Sequence, residues 1–203
     1  MDRKSVSGRY RDDSFLPSPT FGVYPCFGQG HIGAMTLRPA QISDASSIAA
    51  LSLEVWISTY LKRGVCAFFA DYVLDTFTTS NTEKFIADPS EFVMVSQNDE
   101  GIDGYIRVSA GSNPPVNGCS DLQIATFYVQ PRHHGKGIGS RLLDAAFVHC
   151  RATQADTVWL TTNAENAPAI AFYLRKGFEH VGETHFRIGT ESYLNNVYSY
   201  RLN

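Results

Sequence analysis

Val129-Gln130-Pro131-Arg132-His133-His134-Gly135-Lys136-Gly137-Ile138-Gly139-Ser140-Arg141-Leu142-Leu143 is the stretch on which the fold turns. Leu122 to Val129, just ahead of it, is rich in β-branched and aromatic residues. After it, Ile138, Leu142, Ala145, Ala146 and Phe147 recur at helical spacing. The segment therefore reads as strand, glycine turn, helix. Glycines at every second position let the backbone take positive φ and approach a ligand, and the first N–H groups of the new helix have no intrahelical partner. Such a turn attracts phosphate oxygens, with Arg132 and Lys136 adding charge. A P-loop would end its turn in Lys-Ser or Lys-Thr, and Ser140-Arg141 stand there instead. A dinucleotide fold needs Gly-x-Gly-x-x-Gly and an acid at the end of the next strand. Here the spacing is Gly-x-Gly-x-Gly, and Asp156 precedes the strand Thr157-Val158-Trp159-Leu160.

Arg132, Gly135 and Gly137 satisfy Arg-x-x-Gly-x-Gly directly after Tyr128-Val129-Gln130-Pro131. This resembles the acetyl-CoA motif of the GNAT N-acetyltransferase superfamily. A second motif follows in the right order. Asn163-Ala164-Glu165-Asn166-Ala167-Pro168-Ala169-Ile170-Ala171-Phe172-Tyr173-Leu174-Arg175-Lys176-Gly177-Phe178 has an N-cap at Asn166, a first-turn proline at Pro168 and a stop at Gly177. It is similar to the family pattern Asn-x-x-Ala-x-x-Phe-Tyr-x-x-x-Gly-Phe at every fixed position. The resemblance runs over roughly residues 35–203 and is strongest from Leu122 to Phe178.

The resemblance implies an α/β acyl-CoA N-acyltransferase fold: a mixed, mostly antiparallel sheet with helices on both faces, whose strands ending at Val129 and Thr162 splay to admit acetyl-CoA as cosubstrate. It implies that Phe127, Tyr128 and Val129 meet the pantetheine arm. Arg132, His134, Gly135, Lys136, Gly137, Ile138, Gly139 and Ser140 would hold the diphosphate, and Asn163, Asn166, Phe172, Tyr173 and Lys176 would complete the cofactor side. Tyr173 matches the family's general-acid tyrosine. A phenol of pKa near ~10 can protonate a departing thiolate of pKa near ~8.5. Backbone donors near Phe127 to Val129 would meet the oxyanion. Many family members carry a catalytic glutamate six residues before the motif valine, where this chain has Gln123. The base is therefore left between Asp121 acting directly and Gln123 orienting a water. His133 and His134 belong to the phosphate turn rather than to the chemistry, and Asn163 and Asn166 do not titrate.

Length and composition bound the rest. At 203 residues with neither motif repeated, one domain is the default. Residues 1–34 are rich in Ser, Gly, Pro and Arg and read as an extension. The domain occupies 35–203, and Met35 is a candidate initiator. A net charge of -3 lacks the basic surplus of nucleic-acid binders, and no apolar run approaches a membrane span. Cys26, Cys66, Cys119 and Cys150 are scattered without zinc spacing, which reads as reduced thiols in a cytoplasmic protein with no metal.

Along the domain, Met35 to Ala40 reads as a first strand. Ser43 or Asp44 is expected to cap a helix reaching Tyr60, and Lys62-Arg63-Gly64 breaks it. A second helix is expected over Val65 to Phe77 and a short third over Thr82 to Ile86. A hairpin follows over Phe92 to Ser96 and Ile102 to Ser109, with closing strands at Phe178 to Phe186 and Tyr193 to Arg201. The resemblance places an acceptor pocket on the first two helices and the last hairpin. There Trp56, Tyr60, Phe68, Phe69, Tyr72 and Tyr193 stand with Glu54, Asp71 and Asp75. The function so implied is transfer of acetyl to a primary amine of a small molecule or peptide, including a polyamine-like one, by direct attack through a tetrahedral intermediate. The alternative on the same fold is a catalytically silent acyl-CoA-binding sensor. A homodimer is compatible with the family.

Overall fold

Alternation along the central strands divides the apolar residues between two faces, and this division sets the layers. A computed structural model describes residues 35–202. The expected extension at 1–34 lies outside the described residues. In chain order the elements are β1 (Thr36–Pro39), α1 (Ala45–Tyr60), α2 (Ala67–Thr76), α3 (Thr79–Ala87), β2 (Glu91–Asn98), β3 (Gly101–Ser109), β4 (Gln123–Val129), α4 (Ile138–Ala152), β5 (Thr157–Asn163), α5 (Ala167–Arg175), β6 (Glu179–Ile188) and β7 (Glu191–Arg201). One seven-stranded sheet holds them in the order β1-β2-β3-β4-β5-β7-β6, antiparallel except where β4 meets β5.

Val93, Val95 and Tyr105 point to one face and pack on Ile48, Leu51 and Val55 of α1. Ile106, Val108 and Ile124 point to the other, against Ile138, Leu142, Leu143 and Ala146 of α4 and the apolar side of α5. A period of two in the strands thus meets a period near 3.6 in the helices on both sides, which is the mixed sandwich the sequence predicts. The β2–β3 turn forms because the Asn98 side chain accepts from the N–H groups of Glu100 (2.8 Å) and Gly101 (3.1 Å).

Two helix starts differ from expectation. Neither Ser43 nor Asp44 caps α1 through its side chain, because a 3₁₀ turn at Ile42–Asp44 leads into the helix. The Asp44 carboxylate is held instead by Arg38, at 2.6 and 2.8 Å, and by the Gln41 N–H at 2.7 Å. The third helix begins earlier than its apolar pattern shows, because Thr78 caps it by accepting from the Asn81 N–H.

The Arg38 bonds hold the Asp44 carboxyl below its ordinary value. A depressed folded pKa stabilises above the unfolded value near ~3.9 and loses that contribution as pH falls through the folded one. Asp44→Asn is therefore expected to cost about 2 kcal/mol at neutral pH. Urea unfolding at pH 7 and pH 3 measures it, with the difference from wild type shrinking at the lower pH.

Candidate functional site

The parallel pair at the middle of the sheet is barely a pair. β4 and β5 share a single matched position, Gln123 with Trp159. Around it the Trp159 N–H donates to the Leu122 carbonyl (3.1 Å), and the Trp159 indole donates to the Ser120 carbonyl (3.0 Å). Beyond that point the strands diverge, so the alternate backbone groups of β4 that face away from β3 lack the β5 partners a continuous ladder would supply. A bulge sharpens the departure. Arg107 pairs with Thr126 and the next residue, Val108, with Ile124, which leaves Ala125 as the extra residue of β4.

The gap opens into a cavity of about 950 Å³ with the glycine turn at one end and aromatic side chains at the other. At the turn, Gly135 and Gly137 have φ of +78° and +81°, values that L side chains adopt only under strain. The first intrahelical bond of α4 runs from the Arg141 N–H to the Gly137 carbonyl, and no side chain caps the helix. The N–H groups of Ile138, Gly139 and Ser140 are thus free of helix partners, and all three residues line the cavity. Gly139 has a steric reason as well: a Cβ there would meet Phe127 Cζ at 3.3 Å and Phe172 Cζ at 3.6 Å. Those two rings, 5.8 Å apart, reach across the gap from β4 and α5.

The polar residues of the turn divide into two groups. His134 lines the cavity, but its Nε2 donates to the Val129 carbonyl at 2.9 Å, which fixes the ring against the end of β4. Arg132 and Lys136 are not on the cavity wall. Arg132 pairs with Glu54 of α1 at 2.6 Å, and Gln130 donates to the other carboxylate oxygen at 2.7 Å. Burial alone would raise the Glu54 pKa, and these two bonds outweigh it to bring it below its ordinary value. His133 lies at the wall with Nδ1 at 3.4 Å from Oδ2 of the buried Asp103.

On the opposite lip, Asn166 caps α5 by accepting from the Ala169 N–H (3.3 Å), and the Asn163 side chain accepts from Glu165 N–H (2.7 Å). The amides therefore organise the loop, and both residues also border the cavity. Gly177, at φ +88°, and the Phe178 N–H bonded to the Tyr173 carbonyl at 3.1 Å close the helix. Lys176 Nζ lies 5.9 Å from the Phe172 ring centroid. Tyr173 is 8% exposed and lines the cavity, and its hydroxyl is not among the buried orphaned polar atoms of the described residues. Burial, reinforced by nearby Tyr60, pushes its pKa far above that of an ordinary phenol. It is fully protonated at neutral pH.

Asp121 and Gln123, the two candidates for the base, are not on the cavity wall. The reason is geometric: they lie at the start of β4, where β5 is still attached, and the gap opens only farther along. Of the expected acceptor residues, Trp56, Tyr60, Phe69, Tyr72 and Tyr193 line the cavity, while Phe68, Glu54, Asp71 and Asp75 do not. Trp56 is the hub, with ring centroids at 5.0 Å to Tyr60, 5.8 Å to Phe69 and 5.4 Å to Tyr72. Sequence reasoning missed Arg107 and Phe186, which also line the cavity. Arg107 does carry a signal, as a lone cation in the otherwise apolar stretch Tyr105 to Val108.

The chain is similar to known acetyltransferases. Streptothricin acetyltransferase of Streptomyces lavendulae is 35% identical over 96 residues, 47% of this chain and 48% of that protein, so the chain spans about half of that relative's length. N-alpha-acetyltransferase RimI of Mycobacterium tuberculosis is 29% identical over 112 residues, 53% of this chain and 66% of that protein. The crystal structure of PaiA N-acetyltransferase from Thermoplasma acidophilum in complex with coenzyme A aligns with a TM-score of 0.65 over 80% of this chain and 98% of that one. Its identity of 15% makes this a likeness of fold. The family model described as Acetyltransferase (GNAT) family matches residues 57–178, more than half of the chain and all of the turn, gap and tyrosine helix. The chain belongs to the GNAT acetyltransferase family.

Proposed function

We propose that this protein transfers the acetyl group of acetyl-CoA to a primary amine of a small molecule or peptide. One observation carries the reading. The strands β4 and β5 part after a single matched position, and the resulting cavity has partner-free helix N–H groups at one end and a buried, protonated Tyr173 along its wall. This suits a ligand with a diphosphate at one end and a reactive thioester some distance along an extended arm. PaiA N-acetyltransferase was crystallised with coenzyme A, in keeping with that choice.

In this reading Gly135, Gly137, Ile138, Gly139 and Ser140 bind the diphosphate through the backbone, and the free edge of β4 from Phe127 to Val129 pairs with the pantetheine amides. His134, Asn163, Asn166, Phe172 and Lys176 shape the channel. The neutral amine nitrogen attacks the thioester carbonyl carbon, and the carbonyl π electrons move to oxygen, where β4 N–H groups at the bulge stabilise the oxyanion. Collapse breaks the C–S bond, and the departing thiolate takes the Tyr173 proton. The proton lost by the amine passes to water, because Asp121 and Gln123 stand away from the wall, and water returns a proton to the Tyr173 phenolate. Arg132, paired to Glu54, braces the turn against α1, and Lys136 contributes long-range charge.

Asp121→Asn is accordingly expected to leave kcat and its pH profile unchanged. A shifted acidic limb would restore Asp121 as the base. Thiol release from acetyl-CoA against a panel of amines tests the whole reading. Tight acetyl-CoA binding without turnover on any amine would mark the chain as a silent acyl-CoA binder.

A further inference from the structure

The acceptor end of the cavity has a charge character that narrows the substrate. Among the described residues lining it, Glu165 is the sole carboxylate, and it lies between Asn163 and Asn166 on the α5 lip. The acids that could have received a polycationic acceptor are elsewhere: Glu54 is held by Arg132 and Gln130, and Asp71 and Asp75 are off the wall. A polyamine tail entering here would lose its hydration and meet no anion other than Glu165 on the α5 lip.

Arg107 is the opposite case. It lines this cavity and a second one of about 340 Å³ beside it, which also borders Ser52, Phe77 and Thr126. A guanidinium carries five N–H donors in a planar fork. None of those of Arg107 makes a hydrogen bond among the described residues. Its Nε is buried and unpartnered. One Nη pairs loosely with Oε1 of Glu91 at 3.6 Å, beyond hydrogen-bond length, while the other Glu91 oxygen accepts from the Ser109 hydroxyl at 2.7 Å. The Arg107 guanidinium carbon lies 4.8 Å from the Phe85 ring centroid, which holds the side chain in place without using its donors. The charge is thus partly balanced by Glu91, but the fork has donors without hydrogen bonds, and a ligand carboxylate matches it in shape and charge.

Arg107 also stands at the right place on the sheet. It pairs with Thr126, next to the bulge residue Ala125, whose neighbourhood on β4 carries the oxyanion donors in the reading above. Beyond it stand Trp56, Tyr60, Phe69, Tyr72 and Phe186, a wall suited to an apolar or aromatic body.

We propose that the acceptor is a free α-amino acid with an aromatic or branched apolar side chain, its carboxylate held by Arg107 and its side chain by the wall around Trp56. This rests on the acetyltransfer reading above. The products are the N-acetyl amino acid and the free thiol of coenzyme A, with the ammonium proton released to water.

The test uses the full chain, acetyl-CoA and matched pairs that differ only by the carboxylate: L-phenylalanine with phenethylamine, L-tryptophan with tryptamine, L-leucine with isoamylamine, and spermidine alongside. Each amino acid is expected to exceed its decarboxylated partner about 100-fold in kcat/KM, mostly through KM. In Arg107→Met that ratio falls to about 1, and in Arg107→Lys it recovers in part, with calorimetric acetyl-CoA affinity reporting that each variant is folded. Preference for the decarboxylated amines, for spermidine or for a peptide N-terminus would overturn the amino-acid assignment and leave acetyl transfer standing. A ratio unchanged by Arg107→Met would remove Arg107 from it. No thiol release with any acceptor would sink both.

Discussion

Tyr173→Phe is expected to lower kcat by about 100-fold or more while changing the KM for acetyl-CoA less than about threefold. The substitution removes one oxygen and keeps the ring that packs against Phe127, Phe178 and Tyr198, so the fold and the channel should survive. What disappears is the hydroxyl proposed as the proton donor, whose pKa burial has raised, so that it stays protonated at any pH where acetyl transfer would be assayed. The raised value also means that activity should show no loss attributable to Tyr173 ionisation at pH 9 to ~10, where a solvated phenol would begin to fail. Turnover of the variant equal to wild type would remove Tyr173 from the chemistry and leave it as a core aromatic.

Gly137→Val is expected to be the most damaging change at the turn, lowering acetyl-CoA affinity at least about 100-fold. Gly137 sits at φ +81° with open space around its Cα, so the penalty is conformational rather than a clash. An L residue in this region costs about 1–2 kcal/mol, and a β-branched one is disfavoured further. That strain can be relieved only by rotating the backbone that aims the Ile138, Gly139 and Ser140 N–H groups. Thermal unfolding should fall modestly while calorimetric binding collapses. Lys136→Ala, off the cavity wall, should cost less than about tenfold in affinity.

The two regions differ in how much of them the sequence reveals. The turn and the tyrosine helix are legible because their physics is local: positive-φ glycines, an Asn cap, a first-turn proline and a terminating glycine are each dictated by near neighbours in the chain. The hairpin that begins at Phe92 likewise shows through, although Phe92 to Val95 is an unbroken apolar run because both faces of the sheet are covered. What failed to show depends on residues distant in sequence. Asp44 looks like a helix cap until Arg38 takes its carboxylate. Arg132 reads as a phosphate ligand, and its pairing with Glu54, on a helix far ahead of it, does not show in the sequence. Asp121 and Gln123 look close to the chemistry because they precede the motif by a few residues. The distance along an extended strand, and the point at which β5 lets go of it, put them away from the cavity. Arg107 was passed over because a charged residue in a strand says nothing by itself about which cavity it borders.

Calorimetric titration of the full chain with coenzyme A and, separately, with pantetheine puts the glycine turn to the most direct test. One coenzyme A per chain, with pantetheine at least about 100-fold weaker for want of the diphosphate, is the expected result. A folded protein that takes up no coenzyme A, or that binds the two ligands equally, would contradict it.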